Sequence, residues 1–152
     1  MVLFGRFAEG DAKRAGKRPE TFTFLGLIHY CTRNHRDNFK MGWKTDKARF
    51  RRSLAKIHQQ MQVIRHEPLK EQAMQINQAL RGHYAYFGVA GNLGSLQRIY
   101  RNVENYWRKM LSSRSQKGKV CWDVFQEIKS TYPLLQPKLS LPYRRIKQFA
   151  VL

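Results

Sequence analysis

Residues 46–66 read DKARFRRSLAKIHQQMQVIRH. At about 100° per residue, Phe50, Leu54, Ile57, Met61 and Ile64 fall within an arc of about 80°. That is the stripe of an amphipathic helix. Asp46 stands where an N-cap or first-turn acid belongs. Arg49, Arg51, Arg52 and Lys56 lie off the stripe, and Lys47 sits near its edge in the first turn. Pro68 ends this helix or opens the next.

The same period continues downstream. Leu69, Ala73, Ile76, Leu80, Tyr84 and Phe87 share one face of a helix over 69–87, and Gly88, Gly91 and Gly94 break it. A third helical pattern over 95–112 runs through Leu96, Ile99, Tyr100, Val103, Trp107, Met110 and Leu111, with Asn92 or Ser95 as its cap. Arg98, Arg101, Arg108 and Lys109 occupy its opposite face. Residues 113–119 (SRSQKGK) read as a basic turn. A shorter helix over 121–131 turns Trp122, Phe125 and Ile128 inward, and Pro133 stops it. Residues 136–152 form a basic, apolar tail without a readable period.

Upstream the period changes. Residues 2–8 (VLFGRFA) and 21–31 (TFTFLGLIHYC) are rich in β-branched and aromatic types and read as two strands. The Gly-, Lys- and Arg-rich stretch 10–18 reads as part of the loop, 9–20, that joins them. In 39–44, Phe39, Met41 and Trp43 alternate with Lys40, Gly42 and Lys44, the period of a half-buried strand. The polar turn 32–38 precedes it. The pattern predicts an α+β, mainly α chain: a short β-rich N-terminal segment at 1–44, a helical bundle of three to four helices at 45–135, and a tail at 136–152.

The chain has 152 residues, with 29 Lys or Arg against 10 Asp or Glu, a formal charge of +19. Nine Phe, seven Tyr and three Trp exclude a disordered basic tail. No stretch approaches the roughly 18 apolar residues of a membrane helix, and the N-terminus lacks the pattern of a secretory signal. Cys31 and Cys121 stand far apart with no CxxC, against a disulfide scaffold. So large a positive balance points to a polyanion, most commonly nucleic acid.

The cations cluster. Lys40, Lys44, Lys47, Arg49, Arg51, Arg52 and Lys56 face one acid between them, and Arg98, Arg101, Arg108, Lys109, Arg114, Lys117 and Lys119 again face one. Ordinary solvated helix faces mix signs. Uncompensated like charge destabilises a fold unless a polyanion neutralises it, so these residues are the candidate nucleic-acid contacts. Among the clustered aromatics Tyr84, Tyr86, Phe87, Tyr100, Tyr106 and Trp107, most fit the apolar stripes. Tyr86, and at the margin Tyr106, is left to stack on exposed bases.

Catalytic patterns are thin. His29, Cys31 and His35 have the spacing HxCxxxH, with Cys121 the only obvious distant fourth ligand. Structural zinc sites show close paired ligands at both ends, so no metal or other cofactor is expected. His58, His66 and His83 form no HExxH. Asp11, Asp37, Asp46 and Asp123 are isolated, and no pair reads as a two-metal site. There is no phosphate-binding GxxxxGK[ST] loop and no GxSxG.

The order of motifs carries a resemblance. FGRFA at 4–8, ETFTFLGLIHYC at 20–31, a basic helix, LRGHYAYFGVAGNLGSLQRIY at 80–100, a Trp-bearing helix and RSQK at 114–117 resemble the C-terminal part of group II intron reverse transcriptases/maturases, over roughly residues 2–135. The resemblance implies that 1–44 corresponds to the last palm elements, with Phe24, Leu25 and Gly26 in the place of a primer grip. It implies that the region after about 44 is the thumb, or maturase-specific domain, which binds intron RNA and clamps the template–primer duplex. Arg81 falls in its most specific run, Arg81-Gly82-Tyr84-Tyr86-Phe87-Gly88 followed by Asn92 and Leu96. The fingers, most of the palm and the Tyr-Ala-Asp-Asp motif of the family have no counterpart in this chain.

The function expected from these features is non-catalytic RNA binding that assists splicing of a group II intron, in a ribonucleoprotein of the bacterial cytoplasm or of an organelle. The competing expectation is a polymerase subunit that completes an RNA-directed DNA polymerase with a separately encoded palm and fingers. A helix-turn-helix DNA binder is disfavoured because the turn at 88–94 exceeds three to four residues.

Overall fold

A computed structural model describes residues 5, 7–114 and 118–149. The chain is α+β: a small antiparallel sheet near the N-terminus, then a helical bundle. The elements are α1 (Ala8–Arg14), β1 (Phe22–Phe24), β2 (Leu27–Arg33), β3 (Phe39–Thr45), α2 (Lys47–Val63), α3 (Leu69–Phe87), α4 (Leu93–Ser112), α5 (Trp122–Thr131) and α6 (Tyr143–Phe149).

The three long helices follow the sequence pattern closely. Asp46 caps α2, its Oδ2 accepting from the backbone N–H of Ala48 at 3.0 Å and of Arg49 at 3.2 Å. Ile57, Met61 and Ile64 are buried against Ala73, Ile76 and Leu80 of α3 and against Leu96, Ile99, Val103 and Trp107 of α4. Phe125 of α5 and Leu134 beyond it close the core, with Phe125 meeting the Trp107 ring edge-on at 5.6 Å. At roughly 2 kcal/mol for each large apolar side chain removed from water, this cluster is the main stabilising term of the bundle.

The reading of the N-terminus is corrected in three places. The expected strand 2–8 runs into a helix: Ala8 opens α1, while residues 2–4 and 6 lie outside those described. The expected loop at 10–18 is helical as far as Arg14. Aromatic content suggested a strand, but from Phe7 onward local i→i−4 bonding, such as Asp11 N–H to the Phe7 carbonyl at 3.0 Å, wins over sheet propensity. The expected strand 21–31 is a hairpin. Leu25 (φ 51°) and Gly26 (φ 78°) both take positive φ, the backbone of a two-residue hairpin turn. β1 and β2 pair around it, with Phe22 opposite His29 and Phe24 opposite Leu27. β3 then pairs with β2, with His29 opposite Trp43 and Leu27 opposite Thr45. Phe22, His29 and Trp43 form one row across the sheet. The Phe22 and His29 rings stack at 4.6 Å, and Trp43 meets His29 edge-on at 6.3 Å.

Two buried amides join these layers. Asn92, 1% exposed, stands at the N-cap of α4 but does not cap it with its side chain. Its Oδ1 accepts from the Thr45 N–H at 2.9 Å, and its Nδ2 donates to the Phe87 carbonyl at 2.8 Å and to Thr45 Oγ1 at 2.9 Å. Gln72, fully buried in α3, donates to the carbonyls of Arg65 and Glu67 and accepts from Trp107 Nε1 at 2.9 Å.

The segment after α5 returns along α3. Asn77 grips it from both sides of its amide, donating to the Pro133 carbonyl at 2.9 Å and accepting from Leu135 N–H at 2.7 Å. Leu141 N–H reaches the Gly88 carbonyl, and a Cβ at Gly88 would stand 2.7 Å from Ser140 Oγ and 2.2 Å from the Tyr84 carbonyl, so only glycine fits there. Tyr143 of α6 then returns to the sheet, donating to the Met41 carbonyl at 2.9 Å.

Replacing Asn92 by Ala should cost about 2–4 kcal/mol, because it strands the Thr45 N–H and the Phe87 carbonyl in the interior. Chemical denaturation of the variant checks this. A loss below about 0.5 kcal/mol would show that the amide does not join sheet and bundle.

Candidate nucleic-acid interface

Two of the basic helices lie side by side and in register. Arg98 lies over the Phe50 ring at 5.2 Å, Tyr106 stacks on His58 at 4.0 Å, and Arg65 donates to the Ser113 carbonyl at 2.8 Å. The sequence offset is the same at all three contacts. α2 and α4 therefore run parallel, with α3 returning between them in sequence.

On this pair Lys47, Arg51, Arg52 and Lys56 of α2 and Arg98, Arg101 and Lys109 of α4 are exposed. Among the described residues none of these seven has a carboxylate within 4.0 Å. Two ion pairs among the described residues, Arg33 with Asp37 and Lys129 with Glu104, lie elsewhere. Arg81 is exposed on α3.

Other candidates are committed within the protein. Arg108 is half-buried, donates to the Val120 carbonyl at 3.1 Å and lies 4.6 Å from the centre of the Trp122 ring, so it ties α4 to the start of α5. Lys40 places its ammonium 3.9 Å above the Tyr143 ring, and Lys44 lies 5.5 Å from that of Tyr30. Arg49 packs its stem over Gly26. Arg114 and Lys119 are exposed in the α4–α5 connection, and Lys117 lies outside the described residues. The cations thus line a helix pair rather than converge on one point. Arg98 and Lys109 alone are about 16 Å apart along α4 at 1.5 Å per residue.

The hairpin turn is fixed at one end of this pair. Asp46 N–H donates to the Gly26 carbonyl at 3.0 Å, and Tyr86 donates through its hydroxyl to the Leu25 carbonyl at 3.1 Å. A Cβ at Gly26 would meet Arg49 Cγ at 2.9 Å. Phe24 and Leu25 nevertheless remain 60% and 64% exposed. Of the two tyrosines left for stacking, Tyr86 is exposed but anchored by this bond, and Tyr106 is half-buried on His58.

On the other flank of α2 a groove of about 450 Å³ separates it from α3. Ser53, Lys56 and Gln60 line it from α2, and Gln75, Gln78 and His83 from α3. His83 is buried, and its Nε2 has no hydrogen-bond partner among the described residues. Burial pushes its pKa down to about 4. Burial also lowers that of His58. Gly82 lines the groove as well, and a Cβ there would meet nothing within 4 Å. Glycine inside a helix costs about 1 kcal/mol relative to alanine. No described neighbour requires it at this position. The groove was not legible from the apolar stripes, although a glycine inside the helical pattern of 69–87 was its one local signal.

Among the described residues no three His, Cys, Asp or Glu side chains come together in a way that could hold a metal. His29 is instead part of the aromatic row, and the Cys31 thiol faces the Gly5 carbonyl at 3.8 Å. No described helix is long and apolar enough to cross a membrane. Compared with protein-family models, curated proteins and solved structures, the chain matches none.

His83 gives a signed pH dependence. The unfolded chain takes up its proton below about pH 6.5, whereas the folded chain does so only near pH 4. Stability therefore falls as pH drops through that window, by on the order of 3 kcal/mol from this group. Denaturation of the wild type and of His83→Leu at pH 7 and pH 4.5 isolates it. The drop should be smaller in the variant, and equal drops would contradict the burial of a neutral imidazole.

Proposed function

We propose that this chain is a non-catalytic RNA-binding domain of the maturase thumb type, which holds group II intron RNA in support of splicing. The observation that carries the reading is the parallel pair α2–α4, whose exposed Lys and Arg lack acidic partners while their inner faces build the core. Such a surface is solvated at a repulsive cost when free and is neutralised by a phosphate backbone. The spread of cations along two helices, rather than around a cleft, suits contact with phosphates and recognition by shape. The resemblance of 80–100 to the maturase family supplies the kind of RNA, and the same resemblance would assign the braced hairpin 24–26 the role of a primer grip.

On this reading the chain by itself does not polymerise, since its acids are not arranged as a two-metal site. Primer extension by the purified protein that is abolished by changing one of its own Asp residues would overturn that half of the proposal.

Binding to RNA should be steeply salt-dependent. Each phosphate neutralised contributes about −0.9 to the slope of log affinity against log salt on a duplex, or about −0.7 on a single strand. Fluorescence anisotropy across a salt series reads the slope, and a flat titration would refute the domain assignment. Arg52→Ala should weaken binding uniformly across sequences and make the slope shallower by nearly one phosphate, with stability changed by less than about 0.5 kcal/mol. Ile57→Ala, in the core, should instead lose about 2–5 kcal/mol of stability.

A further inference from the structure

We propose that the α2–α3 groove receives one unstacked nucleobase of an RNA strand, with the adjoining phosphates held at Lys56 and the arginines beside it. The inference rests on the RNA-binding reading above and assigns it a second, base-reading site. Four observations on the groove converge. Its volume of about 450 Å³ lies within the range of small-ligand sites. The side chains of Ser53, Gln60, Gln75 and Gln78 make no hydrogen bond within the described residues, so a row of donors and acceptors stands unused along both walls. The Nε2 of the buried His83 is likewise unpartnered, where buried polar groups are ordinarily satisfied. Gly82, exposed on α3, borders a space in which a Cβ would meet no described atom within 4 Å.

The chemistry of the lining selects the occupant. A phosphate pocket would gather cations within it, but here Lys56 is the one cation on the walls; beside it stand neutral amides, a hydroxyl and an imidazole over an apolar floor of Ile57, Met61, Ile64, Ile76 and Ala79, which suits the flat apolar face of a base. Neutral amides and hydroxyls pair with the donor and acceptor edges of a base. The cations stand at the rim. Arg52 precedes Lys56 by one helical turn, and Arg81 is exposed beside Gly82. A paired base must be unpaired and unstacked before it can enter a groove between two protein helices, whereas bases of loops, bulges and ends are already free to do so.

The test compares the full-length chain with Gly82→Leu, whose side chain grows into the open space, and with the double variant Gln75→Ala, Gln78→Ala. The probes are a fluorescent single-stranded RNA of mixed sequence and a blunt duplex of the same sequence at matched salt. Gly82→Leu should keep or raise the melting temperature, since leucine is the better helix former. It should weaken single-strand binding at least tenfold without changing the salt slope and leave duplex binding unchanged. The double variant should weaken single-strand binding several-fold, and it carries the test alone if the leucine variant does not fold. Single-strand binding untouched in both variants, or weakened equally with duplex binding, would overturn the groove while leaving the domain reading intact. A wild-type chain that binds neither RNA would instead refute the domain reading itself.

Discussion

The carboxamide of Asn92 is where the sheet, α3 and α4 meet, and the placement of the sheet against the bundle follows from that meeting. Its oxygen takes the N–H at the end of β3, and its nitrogen takes the carbonyl at the end of α3. Its own backbone carbonyl begins α4 by accepting from Ser95 N–H. A buried amide with four hydrogen-bonding positions, all directed at backbone or at Thr45, permits one relative placement of the pieces it joins. Once β3 is pinned to the start of α4, the β1–β2 turn is brought to the first turn of α2, where Asp46 and Tyr86 seize its carbonyls.

The bundle then sorts the charges. α2 and α4 must both give their apolar stripes to the same core, so they lie against each other and turn their cations outward together. Gln72 locks the loop between α2 and α3 to Trp107 of α4, which keeps that pairing in register. The result concentrates like charge on adjacent helices instead of dispersing it, and it is this concentration that makes a polyanion the natural counterpart of the surface. Not every cation takes part. Arg108 shows how a charged residue on the expected face can be drawn inward, its stem packed and its guanidinium spent on the Val120 carbonyl and the Trp122 ring.

The groove between α2 and α3 is of a different character. Neutral amides and a hydroxyl line it above an apolar floor of Ile57, Met61 and Ile76, it holds a buried neutral imidazole, and an exposed helix glycine, Gly82, borders it. A cationic pair suited to phosphates on one flank of α2, and a polar slot suited to a base on the other, would give the same helix both an affinity surface and a selective one.

Much of the fold was written in local periodicity. The apolar stripe of Phe50, Leu54, Ile57, Met61 and Ile64, and those of α3 and α4, give element type, extent and inward face. A 3.6-residue repeat can satisfy only one solvent-avoiding geometry. The strand at 39–44 and the caps at Asp46 and Pro68 were legible for the same reason. The N-terminal segments were not. A run of Phe, Thr and Leu at 21–31 looks the same whether it is one strand or a hairpin, and the turn at Leu25 is taken by a residue that does not favour positive φ. Ala8–Arg14 carries too few residues to show a period. What the sequence by itself determined is the set of helices, their buried faces and the excess of positive charge. Only the tertiary structure decided that α2 and α4 run parallel, that Asn92 is a joint rather than a cap, that Arg108 is committed within the fold, and that Gly82 and His83 border an open groove. Each of these depends on contacts between residues more than ten apart or on space left between elements, and neither leaves a mark on local pattern.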